Sequence, residues 1–378
     1  MPGFLPALGR CAIIRRLWQE AVLQVHVLDE GELGPFQDFI RDSPYGDVLQ
    51  LPAWARLKSE SGWRAHYLAA EDDGRVVGVC LALERKLPKL PFTLLYCPRG
   101  PVLDWDNPVA LAPLTQSLKE LAGRRKSILI KIDPAVRTSH GVAGGAIDSA
   151  GFRRIESEGF GGTQPKCVMK LDLSGGLDAA LESFKPKWRY NIRLAERKGV
   201  TVRDAGEEGL EAFYGILLET AKRDKFLVRG REYFKSMWRE LNQDGLIKLF
   251  LAEYEGAPIA GALTYFLGKQ AWYTYGASSN EHRNVMPNHL MQWRMMEAAH
   301  AAGCTVYDFR GVSCNLESLS DDNLQGLNRF KAGFNAEFIQ YVGEYDLPIN
   351  SLLYAGWTKV APAALGLLKK RARAADLE

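Results

Sequence analysis

The chain has 378 residues, 47% hydrophobic and 25% charged, the balance of a globular protein long enough for two or three domains without metals or disulfides. A net charge of +3 is too small to announce a nucleic-acid protein, and charge interrupts the longest apolar stretches short of a membrane-spanning length. Six scattered cysteines with no Cys-x-x-Cys pair, and six histidines with no His-x-x-x-His spacing, argue for a reducing compartment and against a disulfide framework or a metal centre.

Residues 1–24 read as an N-terminal extension. They mix apolar residues with Arg10, Arg15 and Arg16 and lack a small-residue cleavage site, which favours a surface helix or an extended start over a signal peptide. Patterned sequence begins near Val25. From Ala65 to Leu83, apolar runs flank an Asp72-Asp73-Gly74 turn and predict a strand hairpin. Phe92–Leu103 reads as another strand, Pro108–Ala122 as a helix, and Ser127–Ile132 as a short strand ending at Asp133-Pro134. Gly141–Gly151 holds a helix end and a turn.

A second round follows the Gly159–Pro165 loop. Cys167–Leu173 alternates as a strand, and Leu177–Lys198 is basic and helical, with Pro186 opening its second part. Leu210–Lys222 and Arg231–Leu241 are amphipathic helices. Strands are predicted at Lys248–Glu253, Ile259–Leu267 and Gln270–Tyr275, then a helix at Asn288–Ala302 and a strand at Thr305–Phe309. Each half therefore has the order hairpin, strand, helix, strand. That order matches the core of acyl-CoA-dependent N-acetyltransferases, so the expected fold is α+β (mixed α/β), two tandem GNAT-like (acyl-CoA N-acyltransferase) domains.

Use of CoA is disfavoured. The acetyltransferase turn between strand and helix needs glycines, so that backbone N–H groups can approach the pyrophosphate at a helix N-terminus. Here the corresponding run is His282-Arg283-Asn284-Val285-Met286-Pro287-Asn288, with Met286 where glycine is needed and Pro287 lacking a donor.

A series of ordered landmarks covers roughly residues 40–346. They are Ser43-Pro44-Tyr45-Gly46 with Trp54-Ala55-Arg56-Leu57-Lys58; Arg99-Gly100-Pro101; Ile132-Asp133-Pro134; and Arg229 followed by Glu232-Tyr233-Phe234. Trp272–Tyr275, Tyr307-Asp308-Phe309-Arg310-Gly311, Arg329-Phe330-Lys331 and Gly343-Glu344 complete the series. It resembles the FemX/FemAB family of tRNA-dependent peptidoglycan aminoacyltransferases, in the short FemX form without a helical arm. The resemblance implies a precursor held in a cleft between two domains, 25–165 completed by 343–378, and 166–342.

It also implies roles. Lys58 and Arg229 match positions that bind the diphosphate of the precursor, against the alternative of solvated surface charge. Lys331 matches a lysine whose ammonium steadies the oxyanion formed when the acceptor amine attacks the aminoacyl ester. Phe330 shapes the site beside it; the alternative is a lysine packing its stem on an element's rim. Asp133 matches an aspartate of the acceptor cleft, and capping before Pro134 is its rival. Tyr233 and Tyr275 match cleft tyrosines that contact the muramyl peptide, or else pack. The family tyrosine five residues before the aspartate is replaced by Ile128.

Lys187, Arg189, Arg193 and Arg197 lie on one basic helix, the last three at four-residue spacing, and suit the phosphates of a tRNA arm or a solvated face. In the tail, Leu365, Leu367 and Leu368 precede Lys369-Lys370-Arg371, suiting either an anionic membrane surface or docking on the first domain. The expected activity is therefore aminoacyl transfer from aminoacyl-tRNA to the stem peptide of UDP-MurNAc-pentapeptide or lipid II. It is expected in the cytoplasm, at the inner face of the membrane where the acceptor is lipid-linked, with no cofactor and no metal. Its rivals are a CoA-dependent N-acyltransferase and a non-catalytic scaffold that binds precursor.

Overall fold

Apolar runs on either side of the Asp72-Asp73-Gly74 turn, buried over Tyr67–Ala70 and Gly78–Glu84, build the longest hairpin of the first half. Strands β2 (Trp63–Asp72) and β3 (Arg75–Lys86) pair antiparallel in the computed structural model, which describes residues 23–156, 162–315 and 322–359. Asp73 and Gly74 join them with φ of 49° and 76°, the left-handed pair that a tight hairpin turn requires. All but the last two residues of the expected N-terminal extension, and the whole Leu365–Arg371 run of the tail, lie outside the described residues.

The strand expected over Phe92–Leu103 is two strands, β4 (Thr93–Cys97) and β5 (Val102–Leu103), both paired with β3. The reason is chemical: Pro98 and Pro101 have no N–H for a ladder, so the chain turns between them. Helix α3 (Leu111–Arg124) crosses over to β6 (Ser127–Ile132), which lies parallel to β4. Among the described residues the first sheet has the order β1-β2-β3-β4-β6-β15-β7, where β1 is Gln24–Leu28, β7 Arg153–Ile155 and β15 Glu344–Pro348. Sequence reading did not resolve the helices α1 (Gly34–Asp42) and α2 (Pro52–Ser59) before this hairpin.

The second sheet is ordered β14-β8-β13-β12-β11-β10-β9. Strand β8 is Cys167–Asp172, β9 Thr201–Asp204, β10 Ile247–Tyr254, β11 Ala257–Leu267, β12 Gln270–Ser278, β13 Val306–Gly311 and β14 Glu337–Gln340. Pro186 does break the basic segment, into α5 (Gly176–Ser183) and α6 (Pro186–Arg197). Helices α7 (Leu210–Asp224), α8 (Arg231–Asn242), α9 (Pro287–Ala301) and α10 (Asp322–Ala332) complete this half, and residues 351–359 form α11. The fold is mixed α/β, with two sheets that both contribute to the lining of one cleft.

The parallel pairing of β12 with β13 stops at Trp272↔Asp308. Beyond that point the strands part, and the residues that follow on each, Tyr273 and Phe309, are free to line a cavity. The halves meet through packed apolar residues. Ile40, Leu57 and Leu81 share one buried cluster with Phe213, Leu249 and Trp272. Polar ties reinforce the seam: Arg310 Nη1 donates to Asp47 Oδ2 at 3.3 Å, and Gln270 Nε2 to Pro44 O at 3.2 Å.

The cysteine reading needs correction. Cys167 and Cys314, 147 residues apart, form a disulfide. Their spacing hides the contact because β8 and β13 are sheet neighbours, with Gly311 opposite Val168 and Val312 N–H donating to Cys167 O at 3.0 Å. Cys80, Cys97 and Cys304 are free and buried.

Candidate functional site

A cavity of about 1030 Å³ opens between the two sheets, and residues from both halves line it. Strand alternation supplies the first wall: Leu83 and Arg85 from β3, Leu94 and Tyr96 from β4, Leu129 and Lys131 from β6, each two residues apart and so on one face. The second wall holds Arg229, Tyr233, Tyr273, Tyr275, Arg310 and Lys331. A larger cavity of about 1300 Å³, lined by Arg41, His140, Lys170 and Glu337 among others, contains none of the expected site residues. The smaller cavity is the one with the chemistry.

At one end three cations converge. Lys58, on the last turn of α2, lies 4.8 Å from the Trp54 ring and 5.4 Å from the Tyr233 ring, and Arg229 lies 4.6 Å from the same Tyr233 ring. Arg85 sits 5.2 Å from the Trp63 ring and donates from Nη1 to Ser61 O at 2.9 Å. Among the described residues none of the three pairs with a carboxylate. Burial first, then the repulsion of Arg229 and Arg85, lowers the Lys58 pKa to about 8. Aromatic faces attract cations without neutralising them, so the cluster retains its demand for an anion. Sequence reading missed Arg85; its signal was the two-residue alternation with Leu83.

Lys331 is a buried cation of the site. It projects from α10, is 3% exposed, and donates from Nζ to Phe309 O and Gly311 O, both at 2.7 Å. Burial lowers its pKa to about 7, opposed by the nearby Asp308 carboxylate. An ammonium has three donors, so two carbonyl bonds fix its position and leave one for a ligand. Phe330, its chain neighbour, does not line the cavity. Its ring meets His289 at 5.1 Å and Phe334 at 5.3 Å, and its carbonyl accepts from Trp188 Nε1 at 3.0 Å.

Asp133 is 1% exposed and does not line the cavity either. Its carboxylate accepts from the Tyr96 hydroxyl at 2.7 Å and from Arg99 N–H at 2.6 Å. Burial raises its pKa to about 6 despite these bonds and the Arg99 charge. Tyr96, not singled out by the sequence, lines the cavity from β4, the strand beside β6. Ile128, at the position where the family has tyrosine, is 3% exposed and belongs to the core. Tyr233 and Tyr275 do line the cavity; burial pushes both hydroxyl pKa values up, so both remain neutral donors.

The basic helix α6 lies away from this cavity's lining. Arg189 is committed to the fold, since its Nη1 donates to Glu182 O at 2.6 Å and Phe184 O at 2.7 Å and thereby caps α5. Lys187, Arg193 and Arg197 are exposed, with Arg197 5.7 Å from the Tyr190 ring. At the turn between β12 and α9, Met286 adopts φ of 59° and Pro287 opens α9, so no glycine supplies the backbone approach that CoA needs there.

The FemAB family pattern matches residues 33–257 and 247–361. A lipid II:glycine glycyltransferase of Staphylococcus saprophyticus is 32% identical over 381 residues, covering 84% of this chain and 91% of that protein. A protein of the same name from Staphylococcus aureus strain MRSA252 is 32% identical over 396 residues, covering 86% and 93%. The crystal structure of FemX superposes with a TM-score of 0.81 at 31% identity, covering 88% of this chain and 99% of that one. Matched over most of its length by pattern, sequence and fold, the chain belongs to the FemAB family.

Proposed function

We propose that the protein transfers an aminoacyl group from aminoacyl-tRNA to the stem-peptide amine of a lipid-linked peptidoglycan precursor. The enzyme class follows from its relatives, which are named lipid II:glycine glycyltransferases. It is a transferase of peptidoglycan bridge formation, built from units 25–165 with 343–378, and 166–342. One observation carries the finer reading: a single cavity joins an uncompensated cation cluster, contributed by both halves, to a lysine held by two carbonyls.

Lys58, Arg229 and Arg85 bind the precursor's pyrophosphate, a dense anion that answers their mutual repulsion. Tyr233 and Tyr275 donate to the sugar-peptide. The acceptor amine attacks the aminoacyl ester carbonyl; the carbonyl oxygen becomes an oxyanion, and the remaining N–H of Lys331 stabilises it by ~3–4 kcal/mol. The proton leaving the amine passes toward Tyr96 and Asp133 and is returned to the ester oxygen, which departs with the tRNA as its hydroxyl. Phe330 holds Lys331 by packing α10 onto Trp188 and His289. Exposed Lys187, Arg193 and Arg197 contact tRNA phosphates, while Arg189 ties their helix to the end of α5. The reaction belongs at the cytoplasmic face of the membrane.

Incubation with mixed charged tRNAs and either the UDP-linked or the lipid-linked precursor, followed by mass analysis, tests this reading. A precursor heavier by one aminoacyl residue is the expected product. Unchanged precursor in both forms rejects the reaction, and product formed only with acetyl-CoA rejects the donor.

A further inference from the structure

We propose that the tip of the β3–β4 hairpin docks on an anionic lipid bilayer and sets the mouth of the cavity against it. This rests on the reading that the acceptor's pyrophosphate occupies the Lys58–Arg229–Arg85 cluster. Arg85, which lines the cavity, is followed directly by Lys86-Leu87-Pro88-Lys89-Leu90-Pro91. Leu90 is 48% exposed, and Lys86 and Lys89 are exposed beside it. The tip is not a loose loop: Leu87 is 4% exposed, its N–H donates to Phe92 O at 2.9 Å, and Leu90 N–H donates to Leu87 O at 3.3 Å.

A second basic turn stands next to it. Thr93, opposite Lys86 in the sheet, donates from its N–H to Lys126 O at 3.2 Å and from its hydroxyl to Arg125 O at 3.0 Å. Arg124 and Lys126 are exposed there. Glu84, the carboxylate nearest in the chain to Lys86, is engaged by Arg125 and His66. Lys86, Lys89, Arg124 and Lys126, none of them in an ion pair among the described residues, therefore lie on two adjoining turns with exposed Leu90, and their charge is left for an external anion.

A bilayer suits this pattern better than RNA does. Basic side chains next to a membrane gain from the anionic headgroup layer, and a projecting leucine gains only where apolar surface can receive it. A nucleic-acid surface would pair such cations with exposed aromatic rings for stacking, and none lies between Lys86 and Pro91. The placement also has a consequence for the reaction. A pyrophosphate tethered to a lipid is confined to the headgroup layer, so the cations that bind it must lie at the membrane surface, and one of them, Arg85, directly precedes the docked tip.

The test is flotation of the full chain with vesicles of phosphatidylcholine alone, or with about 30% phosphatidylglycerol. The wild type should float with the anionic vesicles only and be released by about 0.5 M salt. The variant K86E/K89E/L90S should lose at least about tenfold in binding while keeping its circular dichroism and its turnover of the water-soluble UDP-linked acceptor. Failure of the wild type to float overturns the proposal, as does a variant that floats equally well. So does a variant that floats normally but has lost charged-tRNA binding, which would give these cations to RNA. Flotation is read without substrate, so an inactive wild type would count against the proposed reaction and not against the docking surface.

Discussion

The Tyr96 hydroxyl donates to the Asp133 carboxylate at 2.7 Å, and of the two it is the tyrosine that lines the cavity. The buried acid thus meets the acceptor through another residue's hydroxyl. Tyr96→Phe should lower kcat by about 10–100-fold with little change in KM, because it removes the hydroxyl through which the amine's proton leaves. It should also destabilise the fold by about 1–3 kcal/mol, since Asp133 loses a buried donor. Turnover and urea denaturation separate the two effects. A Tyr96→Phe enzyme with wild-type kcat would remove the tyrosine from the reaction.

The acidity of two buried groups predicts a narrow pH optimum. Asp133 has its pKa raised to about 6, so its accepting form appears as pH rises through that value. Lys331 has its pKa lowered to about 7, so its cation is lost as pH rises further. The profile of kcat/KM should therefore be bell-shaped, rising near pH 6 and falling near pH 7. Asp133→Asn should abolish the acid limb. A flat profile through this range would contradict both assignments.

Lys331→Ala should cost about 10²–10³-fold in kcat while leaving precursor binding intact. Calorimetry of the UDP-linked precursor provides the second readout. Loss of binding together with turnover would place the lysine in substrate binding, and unchanged turnover would remove it from the reaction.

The cation cluster makes a prediction about protons. With its pKa near 8, Lys58 is half neutral at that pH, and a bound pyrophosphate should restore its charge. Binding at pH 8 should then take up about half a proton per site, measured as a dependence of binding enthalpy on buffer ionisation enthalpy. Arg85→Ala should weaken binding and reduce that uptake, because removing a neighbouring cation lets the Lys58 pKa rise.

Gly333 sits where a Cβ would come 2.0 Å from Trp188 Cε2. Gly333→Ala should displace the indole that donates to Phe330 O and cost about 1–3 kcal/mol as overpacking. Thermal unfolding checks the cost, and a loss of kcat larger than the loss of stability would show that α10 positions Lys331.

Much of this protein was legible locally. The Asp73-Gly74 turn, the Pro186 helix start and the alternation of β8 each depend on residues a few positions apart, where backbone preference and burial period act directly. Pro98 and Pro101 were equally local signals, and reading Phe92–Leu103 as one strand passed over them. The landmark series placed Lys58, Arg229, Tyr233, Tyr275 and Lys331 among the site residues, and all five line one cavity.

Other features were invisible in one dimension because they depend on which strands become neighbours. Cys167 meets Cys314 only after β8 pairs with β13. Tyr96 covers Asp133 only because β4 lies parallel to β6, and Arg85 joins Lys58 and Arg229 only when α2 and the second half close over the end of β3. Phe330 and Arg189 turn away from their expected ligands because nearer partners, His289 for the ring and two carbonyls for the guanidinium, satisfy them at lower entropic cost. The sequence by itself determined the elements, the family and the chemistry-bearing residue types, since these follow from local pattern and ordered motif. Which side chain reaches the cavity, and with what proton affinity, was decided by tertiary packing, because burial and neighbouring charge exist only once distant segments are brought together.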